Sequence, residues 1–444
     1  VGIDYCWRRW IFLCSEKIQR ILMQKVLVIT YYWPPAGGPG VQRWLKFTKY
    51  LPEFGFQPIV YIPENPSYPI IDENLEAEVP KGIQILKQPI KEPYGWAGLL
   101  SKKKTKTISS GIIQEKDPSV LEKVLLWIRG NFFIPDARKL WVKPSIGYLA
   151  KVIADEGIET IITTGPPHSL HLIGLGLKEK YSIQWIADFR DPWTSIGYHK
   201  KLRLSKTSEK KHKKLEAEVL TSADKIVVTS HLTKQEFEAI TDKPIKVITN
   251  GYDDELTPIP LDSKFTISHM GSLLTGRNPV ALWKVIKGLI QENEAFKNAL
   301  QIQLAGVVGE EVLQSVREFG LESYVKPLGY LSHDAVLEVQ QKSQVLLLLE
   351  IDSEETKGII PGKLFEYFNA KRPILAIGPE GWEAGRLVEQ TKSGSVCVQN
   401  DAACLKNVLL DWFGSYQKGE LRCDSKGVEQ FHRKALTESL AKFI

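Results

Sequence analysis

Short apolar runs alternate with stretches of three-to-four-residue periodicity from residue 25 almost to the C-terminus. That rhythm predicts β-strands joined by crossover helices, and therefore parallel sheets. A first series predicts strands at 25–30, 57–62, 82–86, 158–163, 184–188, 225–229 and 246–248. Helical patterns fall between them, notably 41–54 closed by Gly55 and 144–156 closed by Gly157. A glycine just past the last turn can take the left-handed conformation that ends a helix. A second series predicts strands at 265–269, 300–305, 345–349, 373–377 and 394–398. The run at 345–349 is apolar at every position, as a strand covered by helices on both faces requires.

Between the two series, Asp253-Asp-Glu-Leu-Thr-Pro-Ile-Pro-Leu-Asp262 is proline-rich and aperiodic, and reads as the joint. The expected organisation is an N-terminal domain over 23–255, a second over 256–425, and a closing helix at 426–444 that packs back on the first domain. The fold class is α/β, with two doubly wound parallel sheets facing one another across a cleft. In such sheets ligands bind in crevices at the carboxyl ends of the strands. Residues 1–22 mix charges into an aromatic stretch without the order of a signal peptide, and read as an extension outside the fold. Met23, just ahead of the first strand, reads as the natural start. The polar, irregular stretch 96–121 reads as a loop.

Composition narrows the class further. A chain of 444 residues, 43% hydrophobic and 25% charged, has the profile of a two-domain globular protein. No apolar run approaches the roughly 18 residues that would span a bilayer. The net charge of +6 is mild and points to no nucleic-acid partner. It is concentrated at Lys102–Lys106 and Lys200–Lys214. Those clusters are either solvated faces or contacts to an anionic membrane, where each basic residue contributes roughly 1 kcal/mol. Five cysteines without CxxC or histidine-paired spacing read as free thiols in a reducing cytoplasm.

Candidate chemistry gathers at predicted strand ends. The stretch from Gly358 to Ile377 reads as a loop, a helix starting near Lys363, and a buried strand. Gly358 and Gly362 permit close approach of a ligand, and the helix start offers free amides to phosphate. Glu366 on the first turn is placed to hold ribose hydroxyls, or else is a capping acid. In the second half, Arg277 follows a strand and opens a helix, where its guanidinium can make a bidentate contact to a pyrophosphate. Arg277, Lys363 and a helix dipole could neutralise a leaving diphosphate without a metal, and no Asp-x-Asp pair ends a strand.

The first half carries a second set. Gly37, Gly38 and Gly40 precede a helix but lack the G-x-G-x-x-G spacing, and no acid ends the second strand at Val60-Tyr-Ile-Pro63, so a nicotinamide enzyme is disfavoured. These glycines would let a helix start and Arg43 approach a phosphate or sugar. His168 lies in a Gly-Pro-Pro loop at a strand end and faces the expected cleft. Asp188, Arg190 and Asp191, at the next strand end, either orient sugar hydroxyls or pair with each other.

Taken together, Gly37–Gly40, Phe133–Trp141, Ala187-Asp-Phe-Arg-Asp-Pro-Trp193, Thr249–Asp253, Gly271 to Arg277 and Pro361-Gly-Lys-Leu-Phe-Glu-Tyr-Phe368 resemble glycosyltransferase family 4. The resemblance runs from Met23 to the C-terminus and rests on the spaced set. It implies a GT-B fold of two Rossmann-like domains and a retaining transferase with a UDP- or GDP-linked sugar donor held by the second domain. It needs no metal or other cofactor. By this resemblance Glu366 matches the second glutamate of an E-x7-E motif on the donor ribose, and Arg277 the arginine on the donor diphosphate. His168 matches a histidine near the transferred sugar, and the 37–40 loop lies by the phosphates or the acceptor. Two positions depart: the first glutamate falls at Gly358, with Glu354 and Glu355 nearby, and the usual lysine falls at Leu282, leaving Lys363 or Lys284 to substitute.

The resemblance further implies a saccharide or lipid-linked acceptor, cytoplasmic location at the inner face of the plasma membrane, and a role in surface polysaccharide or lipopolysaccharide synthesis. The apolar stretch 124–135 between the lysine clusters is expected either at a membrane interface or as a buried helix. Competing readings are a nucleotide-sugar 2-epimerase of the same fold and a non-catalytic sugar-nucleotide binder.

Overall fold

A computed structural model describes residues 23–92, 120–200, 202–253, 256–274 and 276–444. The expectations for 1–22, for most of the 96–121 loop, for Lys102–Lys106 and for Cys6 and Cys14 lie outside the described residues. The chain divides into two units. One comprises the described residues up to Thr249 together with Arg433–Ile444, and the other the described residues of Asn250–His432.

Unit 1 is built on seven parallel strands: β1 (Gln24–Ile29), β2 (Phe56–Pro63), β3 (Gln84–Gln88), β4 (Thr160–Gly165), β5 (Gln184–Phe189), β6 (Lys225–Val228) and β7 (Ile245–Val247). Their order is β3-β2-β1-β4-β5-β6-β7. Its helices include α1 (Pro39–Tyr50), α2 (Val120–Phe132), α3 (Lys139–Glu156), α4 (Ser169–Lys178), α5 (Lys206–Ser222) and α6 (His231–Glu238). Strand β1 explains the layering. Leu27 and Ile29 join one buried cluster while Val26 and Val28 join another, so apolar side chains on alternate positions fill both faces.

Unit 2 holds β8 (Phe265–Met270), β9 (Leu300–Ala305), β10 (Val325–Gly329), β11 (Val345–Leu349), β12 (Ile374–Gly378) and β13 (Gly394–Val398). The parallel order is β10-β9-β8-β11-β12-β13. Helices α7 (Val280–Glu292), α8 (Glu294–Ala299), α9 (Glu310–Glu318), α10 (His333–Lys342), α11 (Lys363–Ala370), α12 (Glu383–Gln390) and α13 (Ala402–Gln417) surround it. Val345, Leu347 and Leu349 pack into one cluster and Leu346 and Leu348 into the other, which accounts for the all-apolar strand. The last helix, α14 (Arg433–Ala441), belongs to unit 1, where Leu436 and Leu440 pack with Val26, Val28 and Trp44.

Four expectations change. Strand β10 was not predicted, because Val325-Lys-Pro-Leu-Gly lies at a sheet edge, is largely exposed and contains Pro327, which an edge tolerates. The helix expected at 41–54 is α1 followed by a 3-10 turn at Leu51–Phe54, with Pro52 at the junction. The closing helix is likewise split, into a 3-10 turn at Val428–Phe431 and α14. Finally, Cys397 at the end of β13 and Cys404 in the first turn of α13 form a disulfide, while Cys423 is free. The strand–helix turn brings their Cα atoms to 5.9 Å, a bridging distance that the seven-residue spacing alone does not reveal.

Candidate functional site

In unit 2 the chain starts at β8, winds outward to β10, and returns to β11 on the other side of β8. Crossovers therefore diverge between β8 and β11, and a crevice opens at the carboxyl ends of those two strands. His269, Met270 and Gly271 come from the end of β8, and Glu350 follows β11 directly. The start of α11, bearing Lys363 and Glu366, comes to the same place.

The side chains form a connected set. The Nδ1 of buried His269 lies 2.9 Å from the Leu347 carbonyl oxygen. A carbonyl only accepts, so Nδ1 carries the proton and Nε2 keeps its lone pair. That lone pair meets the Lys363 ammonium at 3.3 Å, and Lys363 also donates to the Met270 carbonyl at 2.7 Å. Burial, reinforced by the Lys363 charge, holds His269 well below the usual imidazole range and keeps it neutral. Burial and then the Arg277 charge push Lys363 down to about 8, with Glu350 and Glu366 opposing. Arg277 donates through Nε and Nη2 to one oxygen of Glu350, at 2.9 and 2.8 Å. Its side chain is 34% exposed while that of Glu350 is 1% exposed, so the arginine keeps an outward edge. Glu366, half-buried between Phe365 and Tyr367, accepts from Gln340 Nε2 at 2.9 Å.

Two glycines shape the floor. Gly271 (φ 96°) and Gly306 (φ 105°) occupy conformations that side chains avoid. A Cβ on Gly306 would lie 2.8 Å from the Gly271 backbone, and one on Gly271 would stand 3.5 Å from the Lys363 Nζ. Gly362 caps α11 without any side-chain hydrogen bond to its first turn. Arg277, Gly362, Lys363 and Glu366 are thus brought together.

The candidates for the two sequence departures differ in position. Leu282 is fully buried in the core and Lys284 is exposed on α7, whereas Lys363 lies within electrostatic reach of Arg277. Glu354 is an exposed partner of Lys357 at 2.7 Å, and the carboxylate beside Arg277 is Glu350. Glu350 and His269 were missed by sequence reasoning. The available signal was an acid that directly follows an all-apolar strand, and a histidine inside a fully buried one.

Unit 1 repeats the topology. The switch lies between β1 and β4, and the loops after these strands carry the glycines and His168. Gly37 donates to the Ile70 carbonyl at 3.0 Å, and Gly38 caps α1 at φ 105°. A Cβ on Gly40 would overlap the Arg190 Nη1 at 1.6 Å, so the guanidinium lies directly across that glycine. Arg190 is held by the Gly165 and Pro166 carbonyls. His168 is 5% exposed and stacks face-to-face on Trp193, with ring centroids 5.1 Å apart. Neither ring nitrogen has a hydrogen-bond partner. Burial, then nearby His171 and Arg190, keeps it neutral. Burial also raises the carboxyl of Asp191, against the pull of Arg190.

Arg43 and Asp188 are a correction. Both were expected on the acceptor side, but they pair with each other at 2.9 Å with side chains 1% exposed. Asp188 also accepts from Trp44 Nε1 and Thr164 Oγ1, each at 2.8 Å, and Arg43 donates to the Thr249 carbonyl at 2.7 Å. Four donors converge on one buried carboxylate, which leaves neither partner for a ligand. Among the described residues no group of three or more His, Cys, Asp or Glu could hold a metal ion. No described helix is long and apolar enough to cross a membrane.

Residues 111–256 match the family described as Glycosyltransferase Family 4. No curated protein matches the sequence. Among solved structures, sucrose-phosphate synthase from Thermosynechococcus elongatus aligns over 95% of this chain and 98% of its own, with TM-score 0.61 and 12% identity. Alr3699/HepE from Anabaena, in complex with UDP-glucose, aligns over 95% and 99%, with TM-score 0.59 and 12% identity. The lipopolysaccharide outer core galactosyltransferase WaaB aligns over 95% and 99%, with TM-score 0.55 and 14% identity. The family match over residues 111–256 and the two parallel sheets of the GT-B fold make this chain similar to the family 4 glycosyltransferases.

Proposed function

We propose that the enzyme transfers a sugar from a UDP- or GDP-linked donor to a hydroxyl of a saccharide or lipid-linked acceptor, with retention at the anomeric carbon, in surface polysaccharide or lipopolysaccharide synthesis. One observation carries the reading: Arg277 and Lys363 meet at the unit 2 switch point, beside Glu366. Two cations there suit a diphosphate, and Glu366 suits the ribose hydroxyls next to it. The UDP-glucose bound to the Anabaena protein of like fold supports a nucleotide-sugar donor.

The chemistry is charge stabilisation. The bond from the anomeric carbon to the diphosphate oxygen breaks, and Arg277 and Lys363 take up the negative charge that develops. The sugar passes through an oxocarbenium-like state. The acceptor oxygen attacks, and its proton goes to the departing phosphate oxygen on the same face. The protein's cations meet the diphosphate charge in this scheme, so activity is expected to survive EDTA. In unit 1, His168 with its open nitrogens and Arg190 over the glycine loop serve the sugar and acceptor side.

A lipid-linked acceptor has a matching surface. Val124, Trp127, Ile128 and Phe132 on α2 are 37–60% exposed. Gly130 of the same helix packs on Leu202 and Leu204, next to the exposed Lys206, Lys210, Lys211 and Lys214 of α5. Peripheral contact with anionic lipid follows, and reversing those lysines to glutamate should reduce binding to anionic vesicles.

The deciding experiment incubates the protein with UDP- and GDP-sugars, with and without a lipid-linked acceptor extract. Acceptor-dependent release of nucleoside diphosphate supports transfer. An isomerised sugar nucleotide formed without acceptor would point to epimerisation instead.

A further inference from the structure

Glu350 is a carboxylate where an anion is expected to bind, and that needs a physical reason. It follows β11 at the switch point and is 2% exposed. One oxygen accepts three hydrogen bonds, from Arg277 Nε and Nη2 and from the Ile351 backbone amide at 2.9 Å. The other oxygen is buried and has no partner. A buried carboxylate without compensation is costly, so its charge must be matched by neighbours. Arg277 supplies one cation. Lys363 supplies the second: its two hydrogen bonds, to Met270 and His269, leave one ammonium proton uncommitted.

Resting on the donor-site reading above, we propose that Glu350 is a positioning residue, the shared counter-ion of Arg277 and Lys363 that sets how both cations face a bound diphosphate. By clasping the Nε edge of Arg277 it fixes the plane of the guanidinium and turns the remaining Nη edge outward. The groups facing Lys363 are His269 from β8, Arg277 from the loop after it, Glu350 from β11, and Glu366 on its own helix. The two carboxylates oppose the effects of burial and of Arg277. Without Glu350, Lys363 gives up its proton at lower pH, and a ligand-free site keeps one cation fewer.

The test is UDP and GDP binding to the full chain between pH 7 and 10. In wild type, affinity falls as pH rises through the Lys363 range near 8. Glu350→Gln keeps an acceptor oxygen for Arg277 and removes only the charge, so its midpoint of loss should move down by about one pH unit. Lys363→Met should lack that step in either background. A double-mutant cycle of Glu350→Gln with Arg277→Ala should be non-additive, the arginine loss costing at least about threefold less affinity once its clasp is weakened. An unmoved midpoint together with additive losses overturns the role of Glu350. Failure of wild type to bind either nucleotide, or undiminished binding by Arg277→Ala, overturns the donor-site reading itself.

Discussion

Two arginine–carboxylate pairs stand at the carboxyl ends of the two sheets, and the fold uses them in opposite ways. Arg43–Asp188 in unit 1 is sealed, and every strong hydrogen-bonding position around Asp188 is filled. Arg277–Glu350 in unit 2 is half open, with an exposed guanidinium edge and an unpartnered carboxylate oxygen. The two pairs differ in how fully their donors and acceptors are committed to the fold. A saturated pair stabilises one fold; an unsaturated one keeps capacity for a ligand.

The largest effect should come from breaking the sealed pair. Asp188→Ala strands a buried guanidinium and should cost about 3–5 kcal/mol in stability, read as a lower urea midpoint. Replacing both partners, as Arg43→Met with Asp188→Leu, should recover much of that loss. Failure to recover would mean the pair does more than hold the core.

Arg277→Ala should act mainly on function. It leaves buried Glu350 with Lys363 as its remaining cation, so a stability loss of up to about 3 kcal/mol is expected, while kcat/KM for donor falls roughly 100-fold, about 2.7 kcal/mol. A large stability loss with intact turnover would erase the contrast between the two pairs.

Lys363 gives an intermediate effect with a defined sign. Its folded value near 8 lies below the ordinary 10.5, so folding works against its charge, and that cost is present below pH 8 and fades as pH rises from 8 toward 10.5. Lys363→Met should therefore raise stability at pH 7, by about 1–3 kcal/mol, while weakening donor binding. In wild type, kcat/KM for donor should fall as pH passes upward through about 8, because the charged form binds diphosphate. A flat profile from pH 7 to 9 would remove Lys363 from the site.

The smallest effect should be at Glu354. It is exposed and pairs with Lys357 at the surface, so Glu354→Gln should change stability by less than about 0.5 kcal/mol and turnover less than twofold. A severe loss there would place the missing family carboxylate in the 354–358 segment.

Much of the architecture was legible because its signals are local. Alternating apolar runs mark strands whose faces are both buried, and glycines 55 and 157 end their segments in left-handed conformations, as expected. Arg277, Lys363 and Glu366 were legible because each sits at the boundary of a strand or helix. Strand β10 escaped because an edge strand owes its pairing to β9 and carries little apolar signal of its own. The Cys397–Cys404 bond escaped because its geometry is made by a turn between two elements.

The chain by itself determined that there would be two parallel sheets, where their strands end, and which residue types gather there. Burial and partnership were decided only in three dimensions. Arg43 and Asp188 are 145 residues apart, and no local pattern says that they meet in the core. Arg277 and Glu350, 73 apart, meet at a crevice because the winding order sets β8 beside β11. Charge is written in sequence, but its availability depends on how many donors and acceptors the fold brings to it, and that number is a property of the assembled sheet.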